Sequence, residues 1–214
     1  MQGQPPRVPS AEHLWRLLDA ARRVHYNTLV LRGSAPAFGR SRDKVRQFNF
    51  ANFLSSVYSL QDICGTFCKL YAPEGHWARI TASVETDELL NYARAARIAQ
   101  DHTISAAATQ PIAFEEYPIG FFPQGAPPRR VARTRFRLHP ITINRGKAVL
   151  PVPQVKAGSE LSDITPEQLA ERVGGWWLTV VDGLTSATWH VPTWSEWPGK
   201  TPPWPATMEN SAGS

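Results

Sequence analysis

Arg97 and His102 stand five residues apart in the run NYARAARIAQDHTI, and they are the residues whose types and spacing best suit chemistry. A guanidinium is always charged and its planar fork matches phosphate-like oxyanions. An imidazole titrates near neutrality, so it can take or give a proton at physiological pH. Together they could clamp an oxyanion and move a proton beside it. The plainer alternative is that Arg97 is a solvated helix residue and His102 a C-terminal one favoured by the helix dipole. Arg94 lies one turn before Arg97 and shares its face, as an extra anion ligand or as an ordinary surface residue. Asn91 and Tyr92 could assist, although a tyrosine in a helical core is more often packing than chemistry.

A second candidate is electrostatic. The net charge of +5 has a local origin, since Tyr117 to Ser159 holds Arg129, Arg130, Arg133, Arg135, Arg137, Arg145, Lys147 and Lys156 and no Asp or Glu. Taking those eight from the 23 Lys and Arg leaves 15 basic against 18 acidic residues, so the rest of the chain is mildly acidic. Arg129, Arg130, Arg133, Arg135 and Arg137 around Phe136 would suit a phosphate backbone with a base stacked on the ring. Arginines on the solvent face of an edge strand also prevent edge-to-edge aggregation.

Other signatures are missing. There is no phosphate-binding Gly loop, and His13, His25, His76, His139 and His190 are too scattered to nominate a metal site, so neither a metal nor another cofactor is expected. Cys64 and Cys68, four apart on one helix face, are badly placed for a disulfide. With His76 as the one nearby partner they lack a zinc ligand set, and read as two buried thiols. A length of 214 residues with 42% hydrophobic and 10% aromatic content suits one globular domain with a sizeable insertion. No apolar stretch approaches the roughly 18 residues of a membrane span, and a cytoplasmic protein is expected.

The elements that position these residues are mainly helical. Ser10 can cap a helix from Ala11 to about Arg32, with Leu14, Leu17, Leu18, Ala21, Val24, Leu29 and Leu31 as its apolar stripe. GSAPAFGRS, residues 33–41, reads as a loop. Phe53, Val57, Leu60, Cys64, Phe67 and Tyr71 then recur at alternating spacings of four and three, a helical seam flanked by Phe48, Phe50, Leu54 and Tyr58. Pro73 and Gly75 end that helix, and Thr86 or Asp87 caps DELLNYARAARIAQDH, the helix carrying Arg97. After His102 the sequence predicts irregular chain. Residues 130–155 alternate basic and apolar side chains, which predicts a strand, with Asn144, Arg145 and Gly146 turning it into AVLPVP as a basic β-hairpin. Thr165, Pro166 and Gln168 make a capped helix start, and Leu169, Val173, Trp176, Trp177, Val180, Val181 and Leu184 continue at helical spacing. The same run also reads as two strands about Asp182 and Gly183, and helix is the preferred reading.

Set in this helical context, the Arg97 and His102 pair resembles the HEPN family of small helical proteins, whose hallmark is an Arg, four to six residues, then a His. The resemblance covers residues 42–105, with Thr165 to Val191 as a candidate closing helix. The family places a polar residue directly after the Arg, where this chain has Ile98, and Asp101 beside His102 is a further departure. The resemblance implies metal-independent RNA cleavage in a cleft shared by two subunits of a dimer.

The expectation is therefore an α+β protein, an antiparallel helical bundle with an inserted basic β-hairpin. Residues 1–9 form a flexible N-terminus. Residues 10–191 form one domain, in which 10–110 and 165–191 make the bundle and 111–164 the loop and hairpin insert. Residues 192–214, a stretch with five prolines, form a disordered tail. Arg97 and His102 are the expected catalytic pair. Arg94, Arg129, Arg130, Arg133, Arg135 and Arg137 are the expected RNA ligands. A homodimer, and an antitoxin protein as a further partner, complete a toxin or defence setting, with no membrane involved. The competing expectation is a non-catalytic helical module that binds a protein or nucleic acid.

Overall fold

The helices that start after Ser10, Asp87 and Thr165 each begin at a residue whose side chain accepts a hydrogen bond from the first turn. The computed structural model describes residues 8–33, 40–102, 111–118, 130–143, 148–157 and 159–189. Helix α1, Ala11–Gly33, starts at Ser10, whose hydroxyl accepts the His13 amide at 3.2 Å. The His13 ring in turn hydrogen-bonds Tyr71 Oη at 2.7 Å, tying the start of α1 to the end of α2, Arg40–Tyr71. Leu17, Ala20, Ala21, Val24 and Leu31 are buried, whereas Leu29, expected in the same stripe, faces out at 48% exposure. The α2 seam buries Phe53, Val57, Leu60, Cys64 and Phe67, with Tyr71 half-buried and using its hydroxyl.

A helix follows where none is expected. Helix α3, His76–Thr86, begins at Gly75 with φ of 78° and no side-chain cap, so the usual Ser, Thr, Asp or Asn start signal is absent. Its buried stripe is His76, Ile80 and Val84. Asp87 then caps α4, Glu88–His102, its carboxylate accepting the amides of Leu89 and Leu90 at 2.9 and 3.0 Å.

Helix α5, Pro166–Thr185, opens on the expected capping box, Thr165 Oγ1 accepting from Gln168 N while Gln168 Oε1 accepts from Thr165 N. The alternative of two strands about Asp182 and Gly183 is excluded. Leu169, Ala170, Val173, Trp176, Trp177, Leu178, Val180, Val181 and Leu184 are all buried, because α5 packs against α1, α2 and α4 at once. A helix apolar nearly all round is stable only in that central position. Gly174 makes the α1 crossing close: a Cβ there would meet Thr28 Oγ1 at 2.9 Å. Arg46 and Glu167 form an ion pair between α2 and the first turn of α5, each side chain only about one-sixth exposed.

The fold is α+β, with three two-stranded antiparallel sheets among the described residues. The expected single basic hairpin is two structures. Strand β3, Ile141–Ile143, does pair with β4, Ala148–Leu150, across the expected turn. The arginine strand β2, Arg130–Phe136, pairs instead with β1, Pro111–Pro118, in the segment expected to be irregular. Pro111 and Pro118 bound that strand and hide its pattern from a sequence reading. A further hairpin joins β5, Gln154–Ala157, to β6, Glu160–Asp163, which no sequence signal announced. Leu138, Ile141, Val152, Val155 and Ile164 join the helices in one core. Most of the 33–41 loop, the Asn144–Gly146 turn, Arg129, the first seven residues and the tail from Pro192 lie outside the described residues.

Candidate active site

Helix α4 is held in place by what it buries. Leu90, Tyr92, Ala93 and Ala96 are buried, and the small alanines let α4 approach α2 and α5 closely. Tyr92 is fully buried and its hydroxyl donates to the His139 carbonyl at 2.6 Å, fastening α4 to the segment before β3. Burial pushes its phenol pKa up, and the residue is a tether rather than a member of any cleft. Of the two readings of Tyr92, packing in a helical core is therefore the one the structure shows.

Two positions round from Tyr92 lies Arg94, and one turn further Arg97. Both line a small crevice of about 10 Å³ between α2 and α4, closed by Val84 of α3 and Trp177 of α5, that also takes in Leu54, Val57, Tyr58 and Gln61. Arg97 is half-buried, its guanidinium carbon 5.9 Å from the centre of the Tyr58 ring. A cation over a tyrosine face is held in orientation as well as in energy. Arg94 pairs with Glu85 of α3 at 3.2 Å, on the exposed rim. Ile98, where a polar residue would match the resemblance, is 45% exposed beside Arg97.

His102 ends α4, about 7.5 Å further along the axis than Arg97 and about 140° round it by helix geometry. Its side chain, and those of Asp101, Arg130, Arg133 and Arg135, lie outside the described residues. The strand register does place two of these arginines. Arg133 stands directly opposite Glu115, and Arg135 opposite Ile112. Residues directly opposite in an antiparallel pair share a face of the sheet. Arg133 thus has an acid as its register partner, which a charge count beginning at Tyr117 cannot reveal. Arg137 follows the strand and is exposed, with Leu138 buried beside it, as the alternation predicts.

The remaining titratable groups separate from this site. Cys64 and Cys68 are buried free thiols, and burial pushes Cys68 up to about 12 and Cys64 upward as well. His76, the residue considered as their zinc partner, has Nδ1 3.1 Å from an Arg79 guanidinium nitrogen and its ring edge-on to Trp189 at 5.7 Å. Burial and the Arg79 charge both lower its pKa. Among the described residues no three His, Cys, Asp or Glu side chains group as metal ligands, and no helix is long and apolar enough to cross a membrane.

Tyr58 and Gln61 are polar members of the crevice that sequence reasoning did not nominate, and Tyr58 is the one in contact with Arg97. It stood only as a flank of the α2 seam, although its position off that seam is what turns it toward α4. Compared with protein-family models, with curated proteins and with solved structures, the chain matches none.

Proposed function

We infer that the protein cleaves RNA without a metal, in a toxin or defence role, with Arg97 as the phosphate ligand and His102 as the proton-transfer group. The observation that carries this reading is Arg97 itself, half-buried and oriented by Tyr58 in a crevice that Arg94 also lines. A guanidinium held in that way is organised before substrate arrives, which is what charge stabilisation in a transition state requires. In the reaction the ribose 2′-oxygen attacks the adjacent phosphorus and the bond to the 5′-oxygen breaks. His102 of one copy takes the 2′-hydroxyl proton, His102 of the second copy supplies a proton to the leaving 5′-oxygen, and Arg97 balances the charge growing on the phosphoryl oxygens. Two copies across a twofold axis would bring two such pairs into one cleft.

Arg97→Ala and His102→Ala should each reduce cleavage of a single-stranded RNA by about a hundredfold or more, with unchanged helical circular dichroism. EDTA should leave the wild-type rate unchanged, and expression in bacteria should be toxic unless either residue is replaced. Sedimentation at tens of micromolar should give a dimer if its affinity is micromolar. A clean monomer would remove the shared cleft from the reading.

One observation favours a second reading, a non-catalytic module that docks a partner protein. Ile98 on α4 and Tyr58 on α2 are both large apolar side chains left more than 40% exposed, which suits a protein-binding surface. On that reading wild-type protein leaves RNA intact, and Ile98→Glu abolishes partner binding while His102→Ala does not.

A further inference from the structure

A second depression lies between α1 and α2, a groove of about 430 Å³. Trp15 forms one wall, an indole left 62% exposed. Arg16 and Arg23 stand along the same wall. Each is bridged to a carboxylate one turn earlier, Arg16 to Glu12 and Arg23 to Asp19, at 2.7 Å. These guanidinium groups are more than half exposed, so a phosphate in the groove competes with weak pairs rather than strong ones. The floor is built from Asn52, Ser55 and Ser59 of α2. Ser59 spends its proton on the Ser55 carbonyl at 3.0 Å, which leaves its oxygen as an acceptor for an amino group. An aromatic shelf, amide and hydroxyl edges and flanking arginines are the components that hold a splayed-out base and its phosphate.

The groove and the Arg97 crevice share one helix. Tyr58 lines the crevice and Ser59, the next residue, lines the groove, so the exposed face of α2 lies between the two depressions. We propose that the α1–α2 groove is a nucleotide-binding subsite, in which Trp15 stacks on a base of single-stranded RNA that crosses the exposed face of α2 to set its scissile phosphate at Arg97. The identity of the ligand as RNA rests on the cleavage reading above; the groove itself does not.

The test uses the full chain and a labelled oligoribonucleotide whose 2′-hydroxyls are methylated, so that it binds without being cut. Fluorescence anisotropy should show Trp15→Ala binding it about tenfold more weakly than wild type, and Trp15→Phe retaining most of the affinity, since one base stacked on an aromatic side chain contributes on that scale. Trp15 is exposed, so neither variant should change the helical spectrum. On an unmodified oligonucleotide Trp15→Ala should raise KM and leave kcat unchanged, while cleavage of a dinucleotide too short to reach the groove stays at the wild-type rate. Trp15→Ala affinity equal to wild type overturns the subsite, whether or not the protein cleaves RNA. Loss of affinity in Trp15→Ala with no cleavage by wild type keeps the subsite and removes the catalytic reading. Competition by an oligosaccharide or a peptide but not by RNA overturns the subsite as well.

Discussion

The Tyr58 ring lies under the Arg97 guanidinium at 5.9 Å, and this contact joins α2 to α4 at the centre of the candidate site. Tyr58→Phe keeps the ring face, so it should preserve both RNA affinity and cleavage to within a fewfold. Tyr58→Ala removes the platform, and cleavage should fall about tenfold or more while the melting temperature changes little, because a half-exposed cation–π contact contributes only about 0.5–1 kcal/mol. If both variants cleave at the wild-type rate, Tyr58 does not orient Arg97.

The strand register sets Arg133 of β2 apart from Arg135 and from Arg137, which follows the strand. Single Arg135→Ser and Arg137→Ser variants should each flatten the salt dependence of RNA binding, by about 0.7 in the slope of log K against log salt. Arg133→Ser should change it by less, because Glu115 is its register partner. Equal slopes in all four proteins would identify the arginines as protection of a sheet edge.

Packing of α5 on α1 should tolerate little at Gly174. Alanine adds helix propensity of about 0.5–1 kcal/mol, yet its methyl meets Thr28 Oγ1, which already donates to the Val24 carbonyl at 2.8 Å. Gly174→Val should lower stability in urea by about 1–3 kcal/mol through overpacking. Thr28→Ala should recover much of any loss caused by Gly174→Ala, and the pair should be measurably non-additive.

The buried thiols predict both reactivity and a pH effect. A thiol reagent at pH 8 should label neither Cys64 nor Cys68 until the protein is unfolded, because the reactive species is the thiolate. The folded pKa of Cys68, about 12, is above its ordinary value of 9.0, so the folded state favours the protonated thiol. Its contribution to stability is therefore complete below about pH 9 and is lost as pH rises toward 12. Urea titrations of wild type and Cys68→Ser at pH 7 and pH 10 should show the stability gap between the two narrowing at the higher pH.

The helices were legible where composition, period and cap agreed. The α2 seam carries its own period, and Thr165, Pro166 and Gln168 announce α5. Helix α3 was not legible because its start is a left-handed glycine rather than a hydroxyl or carboxyl cap. The partner of β2 was missed because pairing is a long-range choice: the residues from Asn144 to Leu150 offer the nearest turn, yet β2 joins a strand bounded by two prolines. Of the crevice, Arg97 and Arg94 were visible as a helix face. Tyr58 was not, since only three-dimensional packing puts a residue of α2 under a residue of α4.

Helix α5 is the last helix of the described chain and also the one against which α1, α2 and α4 all bury their apolar faces. Those earlier helices leave the ribosome several seconds before it does, because about sixty residues separate α4 from α5 and synthesis adds about 5–20 residues per second. During that interval the surfaces awaiting Trp176 and Trp177 have no partner in their own chain. The bundle, and with it any activity at Arg97, is thus completed only after α5 has been synthesised, and the nascent chain that has reached α4 but not α5 is the stage at which a chaperone would be recruited.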